Sequence, residues 1–331
     1  MKQRRLGKSG PVVGALGLGC MSMSGVYGPA DRPASIETIQ VALASGVNLL
    51  DTGDFYGMGH NEMLIAQALR GTRREDVIIS VKFGAQRGPD GAWLGYDARP
   101  QALKTALAYS LQRLETDYID IYRPARLDPN VPIEETVGAI AEMVRAGYVR
   151  YIGLSEVGVE TIARAQAVHP ICDLQIEYAV VTRGIEKQIL PTTRELGIGI
   201  TAYGVLSRGL IAGHWNPDRA FSPGDWRAHY PRFAGENLEK NLAVAQRLAT
   251  LAQARGVTPA QLAIAWVLAQ RDDIVPLIGA RTVERLNESL GAVDIVLTPQ
   301  DLAAIEAAIP ADAIAGTRYA QPQMAMLDSE R

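Results

Sequence analysis

The chain has 331 residues, of which 47% are hydrophobic and 21% are charged, so it can bury a large core without disulfides or structural metals. Its formal net charge of −3 and its scattered basic residues exclude the electrostatic pattern of proteins that bind nucleic acid or an anionic membrane surface. No apolar run approaches the ~20 residues that span a bilayer, and no secretory signal pattern is found. We therefore expect a cytoplasmic protein that forms one domain over residues 1–331.

Short apolar runs alternate with helical patterns along the chain, which is typical of an α/β protein with a parallel sheet. Strands that are buried on both faces are apolar throughout, so eight such runs predict closure into a (β/α)8 TIM barrel, with an open doubly wound sheet as the alternative. The predicted strands are Ala15 to Cys20, Val47 to Leu50, Val77 to Val81, Tyr118 to Tyr122, Val149 to Leu154, Leu174 to Glu177, Ile198 to Ala202 and Val275 to Ile278.

Three helices have clear sequence signals. From Leu103 to Leu114, apolar residues recur every three or four positions, as on the core-facing side of a helix. Thr258-Pro259 and Thr298-Pro299 each place a capping hydroxyl before a proline at the first helical position, which predicts two further helix starts.

The segment from Ser207 to Glu236 follows the seventh predicted strand and interrupts the alternation. A loop of this length in a compact domain is usually functional. We predict a long aromatic-rich loop that forms a lid over a ligand, with local packing as the alternative. Its aromatic residues include Trp215, Phe221, Trp226, Tyr230 and Phe233.

Three ionisable residues lie near the ends of neighbouring predicted strands. Asp51 follows the second strand, Tyr56 lies in the loop after it, and Lys82 follows the third. The active site of a parallel barrel gathers at the carboxyl ends of its strands, so these side chains are expected to converge. Lys82 would then lower the pKa of Tyr56, and Tyr56 would serve as a proton donor. An ordinary ion pair beside a packed tyrosine explains the pattern equally well.

Other classes of site receive less support from the sequence. The two cysteines, Cys20 and Cys172, do not form a metal or disulfide framework, so no metal site is predicted. Cys20 ends an apolar run and is interpreted as a buried packing residue. The Gly-rich fingerprint of Rossmann proteins does not open any predicted strand-helix unit.

An ordered series of motifs over nearly the whole chain resembles the aldo-keto reductase family, and more closely its bacterial, fungal and plant branch, which includes pyridoxal reductases and auxin-induced-protein-like enzymes. The motifs are Asp51-Thr52, Tyr56-Gly57, Gly59-His60-Asn61-Glu62, Ser80-Val-Lys82, Ile152-Gly-Leu-Ser155, Gln175-Ile-Glu-Tyr178, Ala202-Tyr203-Gly204 and Ile278-Gly279.

The resemblance implies NADPH-dependent reduction of a small-molecule aldehyde or ketone, with Asp51, Tyr56 and Lys82 as catalytic residues and Tyr56 as the general acid. The family's fourth catalytic residue, a histidine, is replaced by Ala125. Alanine cannot donate a hydrogen bond to a carbonyl, so catalysis or substrate choice is expected to differ. Pro124 predicts a local backbone rearrangement there. Among the histidines, His60 is the nearest in sequence that can compensate.

The resemblance also implies a cofactor site along the later strands. Ser155 and Gln175 are expected to bind the nicotinamide carboxamide, and Tyr203 to stack on the ring. Arginines near the adenosine end suit a 2′-phosphate, which favours NADPH over NADH, although ordinary surface arginines remain the alternative. The residues expected at the pyrophosphate are Leu206, Ser207 and Leu210, and those at the adenosine end are Gly279, Arg281, Arg285 and Glu288.

Two other functions remain open at this point. The first is a cofactor-binding regulatory module, similar to the potassium-channel beta subunits. The second is reduction of a conjugated carbon-carbon double bond, because loss of the histidine changes how a carbonyl is held. The sequence does not identify the substrate or the oligomeric state.

Overall fold

The computed structural model describes residues 1–215, 221–222 and 224–331. The strands are β1 (Gln3–Arg5), β2 (Val12–Gly14), β3 (Gly17–Gly19), β4 (Leu49–Gly53), β5 (Ile78–Phe83), β6 (Ala85–Arg87), β7 (Trp93–Tyr96), β8 (Ile119–Pro124), β9 (Val149–Ser155), β10 (Ile171–Glu177), β11 (Gly199–Tyr203) and β12 (Ile274–Ile278). The centre of the fold is a closed barrel of parallel strands in the order β3, β4, β5, β8, β9, β10, β11 and β12, and β12 pairs with β3 to complete the circle.

The barrel confirms the predicted (β/α)8 fold, since each of the eight apolar runs forms a barrel strand. Every residue of β4, β8, β10 and β12 is buried, as expected for strands covered on both faces. β4 and β5 continue past their predicted ends because their backbones remain paired, with Asp51 opposite Ser80 and Gly53 opposite Lys82. Asp51 and Lys82 therefore belong to strands and not to the loops after them.

Helices surround the barrel. The predicted capping residues Thr258 and Thr298 each begin a helix with a complete capping box, and the Leu103 to Leu114 pattern lies within α3. The helices are α1 (Arg32–Ala44), α2 (His60–Ala68), α3 (Pro100–Leu114), α4 (Ile133–Arg145), α5 (Val159–Val168), α6 (Ile189–Leu196), α7 (Gly235–Ala254), α8 (Pro259–Leu268), α9 (Val283–Leu290), α10 (Pro299–Ala308) and α11 (Gln321–Met324).

An antiparallel hairpin of β1 and β2 covers the amino end of the barrel. Leu6 and Val13 from this region are fully buried, and they pack with Leu49, Ile121 and Val275 in an apolar cluster inside the barrel. The amino end is therefore filled by packed side chains. Any pocket within the barrel must open at the carboxyl ends of the strands.

The aromatic loop after β11 packs against the core more than the lid hypothesis predicted. Trp215, Phe221 and Phe233 form a cluster with ring centroids 5.0 to 6.3 Å apart. Phe233 and Tyr230 are buried within the main hydrophobic core. Of the five aromatic residues, Trp226 is the most exposed, at 37%. Residues 216–220 and 223 of the predicted lid lie outside the described residues.

Candidate active site

A buried carboxylate and a buried ammonium form the centre of the barrel mouth. Nζ of Lys82 lies 2.5 Å from Oδ1 of Asp51, and both residues are at most 5% exposed. Oδ2 of Asp51 accepts hydrogen bonds from Nε2 of Gln175 at 2.7 Å and from Oγ of Ser80 at 3.1 Å. Three neighbouring groups thus fix the position of the Asp51 carboxylate.

Tyr56 lies beside this pair, in the loop after β4. Nζ of Lys82 is 5.2 Å from the centroid of the Tyr56 ring. Burial raises the pKa of Tyr56 well above its ordinary value, Asp51 raises it further, and the guanidinium of Arg126 acts in the opposite direction. The prediction of a lowered Tyr56 pKa is therefore wrong, because burial and Asp51 outweigh the nearby cations. The phenol keeps its proton at neutral pH.

Ala125 is buried directly after β8. Pairing of β8 with β5 continues through Pro124, and the backbone N–H of Ala125 donates to the carbonyl of Phe83 at 2.8 Å. The predicted backbone rearrangement at Pro124 is therefore wrong, because the strand pairing is regular through this position.

His60 does not compensate for that loss. It begins α2, where Nδ1 lies 3.0 Å from Oγ of Ser24 and Nε2 lies 3.2 Å from Nη1 of Arg32. Both ring nitrogens therefore have partners outside the catalytic group. Within the described residues, no histidine hydrogen-bonds to Tyr56.

A second buried ion pair lies deeper in the barrel and was not predicted. Nη1 of Arg123 is 2.9 Å from Oδ2 of Asp173, and both side chains are fully buried. Nη2 of Arg123 donates to Oγ of Ser80 at 3.0 Å, and Ser80 in turn donates to Asp51. The two ion pairs are thus parts of one network. Its sequence signals are the charged residues within the apolar runs of β8 and β10.

The three residues expected at the nicotinamide lie on neighbouring strands. Ser155 of β9 and Gln175 of β10 are opposite each other, and Tyr203 ends the next strand, β11. Oγ of Ser155 is 3.3 Å from Nη1 of Arg126, a residue that the sequence analysis did not select. The structure therefore brings the predicted group together and adds a guanidinium to it.

The C-terminal segment closes one side of the mouth through Glu156. This buried residue has a left-handed backbone, with φ of 53°, and its carboxylate accepts from Arg318 at 2.8 and 2.6 Å. Ser329 and Tyr203 also donate to it, at 2.7 and 2.6 Å. The hydroxyl of Tyr319 lies 2.8 Å from that of Tyr203. Tyr203, which is expected to stack on the nicotinamide ring, is thus fixed by Glu156 and Tyr319. The sequence analysis did not select these two residues.

The residues expected at the pyrophosphate differ in what they can offer. Leu206 is partly exposed, whereas Ser207 and Leu210 are buried, and Leu210 packs in the main core. Leu210 can therefore contribute only its backbone to a ligand. Ser207 and Arg208 both have left-handed φ angles, of 47° and 57°. Such strain in residues other than glycine concentrates at ligand sites.

Arg208 places a positive charge in this turn and was not predicted. Nη2 of Arg208 is 3.0 Å from Oε2 of Glu177. Its guanidinium also lies 4.7 Å from the ring centroids of both Tyr230 and Tyr319. The side chain is therefore fixed at the point where the turn after β11 meets the C-terminal segment.

The predicted adenosine end has space for a ligand. Gly279 directly follows β12, and a Cβ added there would meet no atom within 4 Å. Nη1 of Arg281 donates to the carbonyl of Pro29 at 3.0 Å. Nη1 of Arg285 is 3.1 Å from Oε2 of Glu288 and 2.6 Å from Nε2 of His214. Open space at Gly279 with two arginines nearby in the chain is compatible with the phosphorylated adenosine of NADPH.

An aromatic rim stands on the opposite side of the mouth. The hairpin of β6 and β7 carries Trp93, which is 38% exposed, and Tyr96, whose ring centroid is 4.8 Å from that of Trp93. The guanidinium of Arg87 lies about equally far from Trp93 and Trp226, at 5.1 and 5.0 Å. This rim offers flat apolar surfaces to a substrate.

The described residues contain no group of three or more His, Cys, Asp or Glu side chains that can hold a metal ion. They also contain no helix that is both long enough and apolar enough to cross a membrane.

Comparison with known proteins agrees with this architecture, a (β/α)8 barrel with its ionisable groups at the carboxyl ends of the strands. A model of the aldo/keto reductase family matches residues 15–310. Probable aldo-keto reductase 1 from Glycine max is 42% identical over 318 residues, which cover 95% of this chain and 91% of that protein.

Solved structures show the same fold. A glycerol dehydrogenase from Gluconobacter oxydans has a TM-score of 0.84 at 28% identity, covering 95% of this chain and 98% of the other. An aldo-keto reductase from Bacillus halodurans, in its holo form, has a TM-score of 0.74 at 28% identity and covers 97% and 99%. The chain belongs to the aldo/keto reductase family. It is therefore an oxidoreductase from a family that reduces carbonyl groups with nicotinamide cofactors.

Proposed function

We propose that this protein is a cytoplasmic, single-domain reductase that converts a small-molecule aldehyde or ketone to an alcohol with NADPH. The observation that supports it most is the position of Tyr56, whose ring lies 5.2 Å from Nζ of Lys82 beside the Asp51–Lys82 ion pair. A protonated phenol at the mouth of a barrel is suited to donate a proton to a carbonyl oxygen.

NADPH supplies the hydride for this reduction. Arg281 and Arg285 are proposed to bind its 2′-phosphate, because a guanidinium pairs with phosphate through a planar fork. Ser155 and Gln175 are proposed to bind the carboxamide. Nε2 of Gln175 donates to Asp51, so the amide oxygen of Gln175 is the atom that can accept from the carboxamide. Tyr203 is proposed to face the nicotinamide ring.

Tyr56→Phe tests the proton donor, because the change removes the phenol hydroxyl and keeps the ring. Removing a general acid typically costs about 10² to 10⁴ in turnover, so we expect kcat to fall by at least ~10²-fold. The Kd for NADPH, measured by fluorescence titration, should stay within about twofold because the hydroxyl is not proposed to contact the cofactor. Retention of most activity with an unchanged product would remove Tyr56 from the acid role.

The same assay distinguishes the alternative functions. The panel contains aldehydes, ketones and an enone, and also glycerol with NADP⁺, because one structural neighbour is named a glycerol dehydrogenase. Steady NADPH oxidation with alcohol products supports the proposal. Conversion of the enone to a saturated ketone would favour carbon-carbon reduction, to which the absence of a donor at Ala125 points. Tight cofactor binding without any turnover would indicate a regulatory module.

A further inference from the structure

Arg126 holds an unusual position in the mouth of the barrel. It follows Ala125 directly, is partly buried, and makes its two hydrogen bonds through one nitrogen. Nη1 donates to the carbonyl of Ala125 at 2.6 Å and to Oγ of Ser155 at 3.3 Å. The N–H groups on Nε and Nη2 have no acceptor among the residues that the structure describes. Arg126 therefore presents open donors beside the expected nicotinamide site.

The charge of Arg126 differs from that of its neighbours in having no ion-pair partner at contact distance. Within the described ranges, no carboxylate oxygen lies within 4.0 Å of this guanidinium, and the attraction of Glu156 acts on it from farther away. Its unused N–H groups are therefore available to an acceptor on a ligand. Three other guanidinium groups in or around the barrel mouth pair with carboxylates: Arg123 with Asp173, Arg208 with Glu177 and Arg318 with Glu156.

The guanidinium of Arg126 lies at the mouth of the barrel, because its Nη1 is 3.3 Å from Oγ of Ser155 at the end of β9. Its charge lowers the pKa of Tyr56, Tyr96 and Tyr203, against the larger effect of burial. The group is therefore near enough to Tyr56 to act on its hydroxyl. A carbonyl oxygen placed to receive the proton of Tyr56 lies in the field of Arg126.

Resting on the proposed function, we infer that Arg126 donates a charged hydrogen bond to the reacting carbonyl oxygen and thereby replaces the donor that is absent at Ala125. As the hydride reaches the carbonyl carbon, the π electrons of the C=O bond move to the oxygen. The oxygen takes the proton of Tyr56, whereas Arg126 keeps all its protons. A fixed donor aimed at developing negative charge stabilises the transition state more than the ground state.

The primary test compares Arg126→Met with the wild type on a neutral aldehyde, 4-nitrobenzaldehyde, at saturating NADPH. Removing one oxyanion donor costs about 10² to 10³ in kcat, and we expect a loss in that range. The Kd for NADPH and the melting temperature should change little. Arg99→Met is the matched control, since Arg99 pairs with Asp97 on the outer surface, and it should leave kcat unchanged.

Chemical rescue by added guanidinium ions distinguishes a direct contact of Arg126 with the substrate from a structural role. Adding guanidinium ions at concentrations well below those that unfold proteins should restore part of the kcat of Arg126→Ala and should not raise that of the wild type. Absence of rescue together with weakened NADPH binding would overturn the inference in favour of a structural role. A raised KM with unchanged kcat, seen only for carbonyl substrates that bear a carboxylate, would overturn the inference. It would show instead that Arg126 binds the carboxylate of the substrate.

The proposed function and this inference fail in different ways. If Tyr56→Phe is inactive while Arg126→Met keeps its kcat, the reductase proposal stands and the role of Arg126 is overturned. If the wild type reduces no carbonyl in the panel, both are overturned.

Discussion

The phenol of Tyr56 keeps its proton because burial and the carboxylate of Asp51 raise its pKa. A proton donor does not need a low pKa when its acceptor becomes an alkoxide as the hydride arrives, since the alkoxide is a strong base. Lys82 then serves chiefly to neutralise Asp51, to which it is bonded. In the proposed reaction, donation of the proton would thus depend on the timing of the hydride transfer more than on the acidity of the resting phenol.

A single residue is also expected to set the choice of cofactor. Arg281→Ala should weaken NADPH binding by about 1.5 to 3 kcal/mol, the usual loss for a charge-assisted contact with phosphate, which is roughly 10-fold to 150-fold in Kd. NADH lacks the 2′-phosphate, so its Kd should be spared. Fluorescence titration of both cofactors against both proteins measures the difference.

NADH is the internal control for that experiment because Arg281 also donates to the carbonyl of Pro29. If that contact shapes the loop, the substitution weakens both cofactors. Equal losses for NADPH and NADH would show that Arg281 is structural and would leave the 2′-phosphate without its proposed partner.

At the scale of elements, the C-terminal segment depends on the pair between Glu156 and Arg318. Arg318→Met leaves the buried carboxylate of Glu156 without its bidentate partner, and breaking a buried pair in this way costs about 3 to 5 kcal/mol. We expect a loss of that size in urea unfolding at pH 7. Arg164→Met, which removes an exposed pair with Glu134, should cost far less, because solvent screens that pair.

The loss of unfolding free energy caused by Arg318→Met should become smaller as the pH falls. Burial raises the pKa of Glu156, but Arg318 and its neighbours outweigh burial, and the net pKa lies well below its ordinary value of 4.5. The stability from this group is therefore present above about pH 4.5 and decreases as the pH falls further toward the folded-state pKa. The Arg318→Met protein already lacks this stabilisation, so the difference in unfolding free energy between it and the wild type should decrease in acid. A constant difference from pH 7 to pH 4 would contradict this account.

The barrel strands could be predicted because burial on both faces leaves a continuous apolar run, which is a local signal. Asp51 and Lys82 could be paired for a related reason, since adjacent parallel strands end at the same edge. Arg318 and Glu156 could not be paired, because their contact depends on the path of the chain between them. The long aromatic-rich loop was predicted from composition, but composition does not show that Tyr230 and Phe233 turn toward the core.

Positions with an alanine or a proline were informative in different ways. Alanine at 125 was interpreted as a missing donor, which stays a prediction, and Arg126 as a candidate replacement was not foreseen, because sequence does not show where a long side chain points. Proline at 124 was expected to disturb the backbone. A proline at the end of a strand needs no N–H for the ladder, and the pairing with Phe83 is kept.

At the scale of the whole molecule, the interior of the barrel carries two linked ion pairs where many proteins have only apolar contacts. Gly153 is part of this arrangement, because a Cβ there would lie 2.8 Å from both the guanidinium of Arg123 and the carboxylate of Asp173. Nε of Arg123 has no partner among the described residues, so hydrogen bonds do not fully offset the free energy of desolvating the guanidinium. The pair therefore contributes less to stability than its geometry suggests.

The cost of leaving a buried charge unpaired predicts the outcome of a double-mutant cycle on Arg123 and Asp173. Arg123→Met should destabilise the fold by about 3 to 5 kcal/mol, because it leaves Asp173 buried and uncompensated. Adding Asp173→Leu should recover most of that loss, since it removes the orphaned charge. Urea unfolding of the two single variants, the double variant and the wild type gives the coupling energy. Additive losses would mean that the two side chains act independently.

Closure of the barrel between β12 and β3 joins residues from almost opposite ends of the barrel sequence, with Leu277 opposite Gly17. Until β12 arrives, a sheet of the first seven barrel strands has two open edges, at β3 and at β11. Unpaired edges of this kind recruit other chains, and contacts between distant residues form slowly. Newly made or partly unfolded protein is thus exposed to aggregation for as long as one strand is missing, and its yield on refolding should fall as its concentration rises.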